Sequence, residues 1–209
     1  MLLVIANRNY SSWSLRAWLA LRHTGAAFDE VVVPLWQANT KEEIRRHSPS
    51  GSVPVLKHED LAIWDSLAIA EWAAERFPEA GLWPADPSVR AVARSVTCEM
   101  HSGFGALRRE LPMNIRLRSS KALSAEAERD VARVEAMWAD LRNRHGRSGP
   151  FLFGQFTIAD AFYAPVATRF VTYGVKLSGA AAQYAETLLG MPAMGEWMDL
   201  ARKEPWSEP

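Results

Sequence analysis

Cysteine is nearly absent from this chain: Cys98 is the only one in 209 residues. An internal disulfide is therefore impossible, a dithiol redox pair is excluded, and any thiol chemistry needs a thiol brought in by a ligand. Excess charge of either sign is missing too. Its 24 basic and 24 acidic residues give a formal net charge of +0, without the basic footprint that draws a protein to nucleic acid or to an anionic membrane. Long apolar runs are lacking as well. The opening stretch Leu2 to Ala6 stops at Asn7 and Arg8, too short for a signal-peptide core, and no run approaches a membrane span. These absences predict a cytoplasmic protein with small-molecule partners, no nucleic acid and no membrane. The five histidines, His23, His47, His58, His101 and His145, form no i, i+4 pair and have no cysteine partner, so no metal is expected.

What is present suffices for a sizeable core in one large or two small domains, since 48% of the residues are apolar. Leu2 to Ala6 reads as a buried strand, Ser14 to Thr24 as a helix stopped by Gly25, and Phe28 to Leu35 as a second strand. Asn39 to His47 predicts a short helix, which "SPSGSVPVL" ends before Val53 to Leu56 resumes strand character. "LAIWD" follows, then a helix capped by Asp65 or Ser66 whose Leu67, Ala70, Ala74 and Phe77 share one face. The order is β-α-β-α-β-β-α in about eighty residues, a small sheet covered by helices.

"PEAGLWPADPS", Pro78 to Ser88, holds three prolines and a glycine and reads as a linker. Beyond it Val131, Val134, Trp138 and Leu141 repeat at helical spacing, as do Ile158, Ala161, Phe162, Val166 and Phe170. Only "FLFG" offers strand character there, so the second half is expected to be a helical bundle. The predicted division is 1–80 and 88–209. No internal repeat or low-complexity tract interrupts it.

The unusual stretch is "YSSWS", Tyr10 to Ser14, where three serines and two aromatics crowd between strand and helix. One serine suffices to cap a helix. A second hydroxyl at a helix N-terminus is placed to meet an anion. From these residues alone, capping and anion binding both stand.

Four blocks together resemble the cytosolic glutathione transferase superfamily, with a thioredoxin-like N-terminal domain and an all-helical C-terminal domain. They are "SSWSLRAWLAL" at Ser11 to Leu21, "SPSGSVPVL" at Ser48 to Leu56, "DSLAIAEWAAERFP" at Asp65 to Pro78, and "FTIADAFYAPV" at Phe156 to Val166. The serine pair followed by Arg16 is most similar to the zeta class and related bacterial enzymes. The resemblance implies glutathione as co-substrate, a homodimer, and detoxifying conjugation of a small electrophile. It implies that Ser11, with Ser12 as helper or substitute and Tyr10 as competitor, stabilises the glutathione thiolate. Lowering a thiol pKa from about 8.5 to about 6.5 needs roughly 2.7 kcal/mol of preferential thiolate stabilisation, within reach of a hydroxyl donor plus a helix N-terminus.

The same resemblance implies that Ser52, Val53 and Pro54 hold the tripeptide backbone as an added strand, with a cis Val53–Pro54 bond. Asp65 and Ser66 would hold the γ-glutamyl end at a helix N-terminus. Zeta enzymes carry a cysteine where this chain has Trp13, which disfavours maleylacetoacetate isomerase-like chemistry and gives Trp13 a wall of the second-substrate pocket. Tyr10, Met100, His101 and Phe104 are the other candidates for that pocket, with Met113 nearby, and Glu99 and His101 for reaching a partner's glutathione. Arg108, Arg109, Arg116, Arg118 and Lys121 read as a solvated cationic face. Thr157 and Asp160 form a capping box with a structural role.

Overall fold

The computed structural model describes residues 1–208. Strand β1 (Leu2–Ala6) is aliphatic throughout and almost wholly buried, as a central strand covered on both faces must be. It lies between β2 (Asp29–Val33), with which it runs parallel, and β3 (Val55–His58), with which it runs antiparallel; β4 (Leu61–Ile63) closes the order β2-β1-β3-β4. Helices α1 (Ser12–His23) and α3 (Ser66–Arg76) lie together against the sheet. Beside β2, α2 (Thr40–His47) buries Ile44 in a separate small cluster with Val4, Val33 and Val55.

The register fixes where loops meet. Val4 pairs with Val55 and Leu56 pairs with Ile63. The end of β1, the start of β3 and the end of β4 therefore lie at one end of the sheet, and so do the segments attached to them: Asn7–Ser12, Ser52–Pro54 and Trp64–Ser66.

The second half comprises α4 (Pro87–Ser102), α5 (Gly105–Glu110), α6 (Ala125–His145), α7 (Ile158–Tyr173), α8 (Gly179–Leu189) and α9 (Pro192–Lys203). Almost every residue of α7 is buried, which explains its lack of an amphipathic pattern. Trp138 fills the bundle centre against Tyr163, Phe170 and Tyr184, with ring centroids 5.7, 5.7 and 4.9 Å away. One apolar cluster runs from Leu3 and Ile5 through α1 into α7 and α9. Trp18 meets Trp197 at 5.2 Å across that join.

The thioredoxin-like sheet and the helical bundle are thus as expected, while several boundaries move. Helix α1 begins at Ser12 rather than Ser14, because Ser11 caps it through the Ser14 amide at 3.2 Å. Strand β3 begins at Val55, so Val53 and the cis Pro54 precede it. The Trp64–Asp65 bond is also cis. "FLFG" is not a strand but a tight turn with two isolated bridges, held by Arg142, which donates to the carbonyls of Gly149 at 2.7 Å and of Phe151. The linker holds a short 3-10 turn at Pro78–Ala80, and α4 starts inside it at Pro87.

Asp160 closes the capping box, accepting from the Thr157 amide at 2.8 Å, and also accepts from the Leu152 amide at 3.1 Å and the Tyr184 hydroxyl at 2.8 Å. Full burial outweighs these donors and pushes its carboxyl up to about 6. An unfolded aspartate titrates near 3.9. The folded chain therefore holds the extra proton between roughly pH 4 and 6, and the stability so gained is complete below that window and lost as pH rises through it. Asp160→Asn, which keeps the shape without the titration, should remove this dependence. Urea unfolding should show the stability difference between wild type and the variant shifting against wild type by roughly 2 to 3 kcal/mol from pH 4 to 7; a constant difference would contradict the assignment.

Candidate functional site

The gathered loop ends put four hydroxyls at two helix N-termini. Ser11 is the N-cap of α1, and Ser11, Ser12 and Ser14 are all buried. A chain of hydrogen bonds links them: the Ala6 amide donates to Ser14 Oγ at 3.1 Å, and Ser11 Oγ and Ser14 Oγ are 2.8 Å apart. Ser11 Oγ is the donor in this pair, so Ser14 Oγ accepts from both Ser11 and the Ala6 amide. An outside anion that draws the Ser11 proton away from Ser14 leaves the Ser14 hydroxyl able to donate to Ser11 in turn, in a chain whose members polarise one another. Ser12 Oγ faces the bundle instead and accepts from Arg169 Nη2 at 3.0 Å. Ser14 is the member that sequence reading did not single out; its position one helical turn after Ser11 was the available signal.

At α3, Asp65 is the N-cap, its Oδ1 accepting from the Leu67 amide at 2.9 Å. Ser66 is fully buried, and its hydroxyl finds no partner among the described residues. Ser52 is exposed and Val53 half-buried beside it, leaving this segment open for pairing. Next to it, Lys41, Arg45, Ser48 and Ser50 line a cavity of about 430 Å³, suited to a carboxylate.

Between sheet and bundle, Trp13 is exposed by 36%. His101 meets it edge-on at 5.3 Å, and the Arg16 and Arg108 guanidiniums lie 4.3 and 5.4 Å from its ring centre. Arg16 is wholly buried under Trp13 and Phe162, and its Nε and Nη1 have no acceptor among the described residues. Burial first, then Arg169 and Arg108, lower its pKa to about 9. Burial, with Arg108 beside it, likewise takes Arg169 to about 10. Arg169 was not foreseen, lying inside a helix that reads as core; a lone arginine in an apolar run was its signal.

Other candidates are placed differently. Met100 and Met113 are buried in the apolar core, as is Phe104 at the left-handed turn before α5. Tyr10 turns its hydroxyl to the C-terminal segment, accepting from Arg116 Nη2 at 3.2 Å and the Glu208 amide at 3.0 Å. Burial raises its pKa, but these donors outweigh it and leave the phenol below its ordinary value. His101 Nε2 lies 3.1 Å from Asp65 Oδ2, and Glu99 pairs with Arg133, so within this chain both have partners of their own. Of the expected solvated cations, Arg109, Arg118 and Lys121 are exposed, whereas Arg108 and Arg116 are half-buried and hydrogen-bonded to backbone carbonyls.

Two family profiles match this chain: glutathione S-transferase, N-terminal domain, over residues 10–76, and glutathione S-transferase, C-terminal domain, over residues 124–200. Glutathione S-transferase 1 of Dianthus caryophyllus is 31% identical over 160 residues, covering 74% of this chain and 71% of its own. A probable maleylacetoacetate isomerase of Caenorhabditis elegans is 27% identical over 191 residues, covering 89% and 87%. A bacterial zeta-class maleyl pyruvate isomerase has the same fold over 100% of both chains, at a TM-score of 0.76 and 20% identity. The chain belongs to the glutathione S-transferase family.

The two buried arginines should respond oppositely to loss of charge. Arg169 donates to the Leu111 carbonyl at 2.5 Å as well as to Ser12, so Arg169→Met strands buried acceptors. Denaturant unfolding should show a loss of about 2 to 4 kcal/mol. Arg16→Met removes a buried charge and strands nothing, and should fall within about 1 kcal/mol of wild type or above it. Equal losses would contradict the contrast.

Proposed function

We propose that this protein binds glutathione and stabilises its thiol as thiolate for attack on a small electrophile. The observation that carries the reading is the strand register, which brings the hydroxyl-bearing N-terminus of α1, the open Ser52–Val53 segment and the N-terminus of α3 to one end of the sheet. An extended tripeptide pairs its backbone with Val53, as an added strand does, with the cis Pro54 setting the turn. Its γ-glutamyl carboxylate meets Ser66 at the α3 N-terminus and its ammonium meets Asp65, while Lys41 and Arg45 suit the glycyl carboxylate.

The thiol gives up its proton to solvent, and the thiolate then accepts a hydrogen bond from the Ser11 hydroxyl, backed by Ser14 and the Ala6 amide, at the positive end of the α1 dipole. With no cysteine near the serines, a mixed disulfide with glutathione has no partner there. Trp13 walls the second-substrate side, next to His101. Exposed Leu61 and Trp64 at the outer edge of the sheet support a homodimer. A cytoplasmic place and a detoxifying role belong to the same proposal.

A second reading, glutathione-assisted isomerisation of an anionic substrate, is supported by the two cations Arg16 and Arg108 beside Trp13 and by the Caenorhabditis elegans relative. Trp13 in place of the class's cysteine speaks against it. Turnover of a generic aryl halide supports conjugation, conversion of maleylacetoacetate supports isomerisation, and glutathione retention without either leaves a binding module.

The mechanism is read by thiolate absorbance. Ser11→Ala should raise the pKa of bound glutathione by more than one unit, Ser14→Ala by less, and Ser12→Ala least, a tenfold loss of thiolate per unit. An unchanged titration in Ser11→Ala would move the role to Ser12 or Tyr10.

A further inference from the structure

The turn that presents Ser11 is not completed by its own sheet domain. Asn7 begins it there: its carbonyl accepts from the Tyr10 and Ser11 amides at 3.1 and 2.9 Å, and its side chain accepts from the Leu35 amide at 2.6 Å. Arg8 and Asn9 are held otherwise. The Arg8 amide donates to Glu204 Oε1 at 2.8 Å and the Asn9 amide to Glu204 Oε2 at 3.2 Å. The Arg8 carbonyl accepts from Trp197 Nε1 at 3.0 Å, and the Asn9 carbonyl from the Ile115 amide at 3.3 Å. All four backbone polar groups of these two residues thus find partners in the helical half.

Side chains repeat the pattern. Asn9 Oδ1 accepts from the Arg116 amide at 3.0 Å, and its Nδ2 donates to Asn114 at 2.9 Å. Arg116 in turn grips the segment after α9, donating to the carbonyls of Glu204 at 2.7 Å and Trp206 at 2.5 Å. The Glu204 carboxylate is 6% exposed and lies 3.7 Å from Arg8 Nη1. A buried carboxylate spanning two successive amides fixes both the position and the orientation of that backbone.

We propose that Glu204 is a positioning residue: its carboxylate, carried on the segment after the last helix, sets the β1–α1 turn in the geometry that aims Ser11 at its ligand. Removing the carboxylate strands two buried amides and frees the turn to move, while strand β1, held by β2 and β3, stays in place. The catalytic consequence rests on the glutathione reading given above; the clamp on the turn does not.

The test uses Glu204→Ala and the isosteric Glu204→Gln, which keeps one acceptor oxygen. Amide hydrogen exchange on the ligand-free full chain reads the clamp. The Arg8 and Asn9 amides should exchange at least tenfold faster in Glu204→Ala and by a smaller factor in Glu204→Gln, with the Val4 and Ile5 amides unchanged. Wild-type rates at Arg8 and Asn9 would overturn the proposal. Thiolate absorbance reads the consequence: the pKa of bound glutathione should rise by about one unit, a tenfold loss of thiolate, in Glu204→Ala, with Glu204→Gln between it and wild type. Faster exchange with an unchanged thiol pKa would reduce Glu204 to a structural contact and overturn its positioning role. Absence of glutathione uptake by wild type would instead overturn the functional reading, with the exchange rates still deciding the clamp.

Discussion

The strand register is the constraint on which the rest of the structure depends. With Val4 opposite Val55 and Leu56 opposite Ile63, two helix N-termini and one open backbone segment arrive at the same end of a four-stranded sheet. A slip of one residue in either pair would turn the buried face outward. The core resists this, because Leu3, Ile5 and Leu56 lie in the main apolar cluster while Val4 and Val55 lie in the smaller one under α2. Packing on both faces of the sheet therefore locks the arrangement that a peptide ligand needs.

The helical half does more than cover the sheet. Arg169 reaches Ser12, His101 reaches Asp65, and the segment around Glu204 completes the turn before Ser11. Each element proposed to hold glutathione at the helix N-termini is thus tied to the bundle. At Ser12 and at the turn before Ser11 the tie runs through buried charged and polar groups, which confine geometry more tightly than apolar packing because each must find its partner.

Much of this was legible in the chain. The alternation of apolar runs with Gly and Pro breaks gave the strand and helix order, and "SVPVL", "DS" and "SSWS" marked the loops that converge. Boundaries moved where side chains cap backbone: Ser11 starts α1 two residues early by accepting from Ser14. "FLFG" looked like a strand because its residues are apolar, yet Arg142 holds the Phe151 carbonyl in a turn from nine residues away in sequence. Met100 and Phe104 looked like pocket lining because periodicity cannot separate a buried wall from a core. Arg169 and Glu204 stayed invisible for another reason: their partners lie 157 and 196 residues away, and pairing at that distance leaves no local pattern.

The central claim is that one end of this sheet is a tripeptide site. Calorimetric titration of the purified full chain with glutathione tests it most directly. Saturable uptake below millimolar concentration, lost when Ser66 is replaced by alanine, is the result the account predicts. No heat of binding at millimolar glutathione, from protein that is folded by circular dichroism, would contradict it.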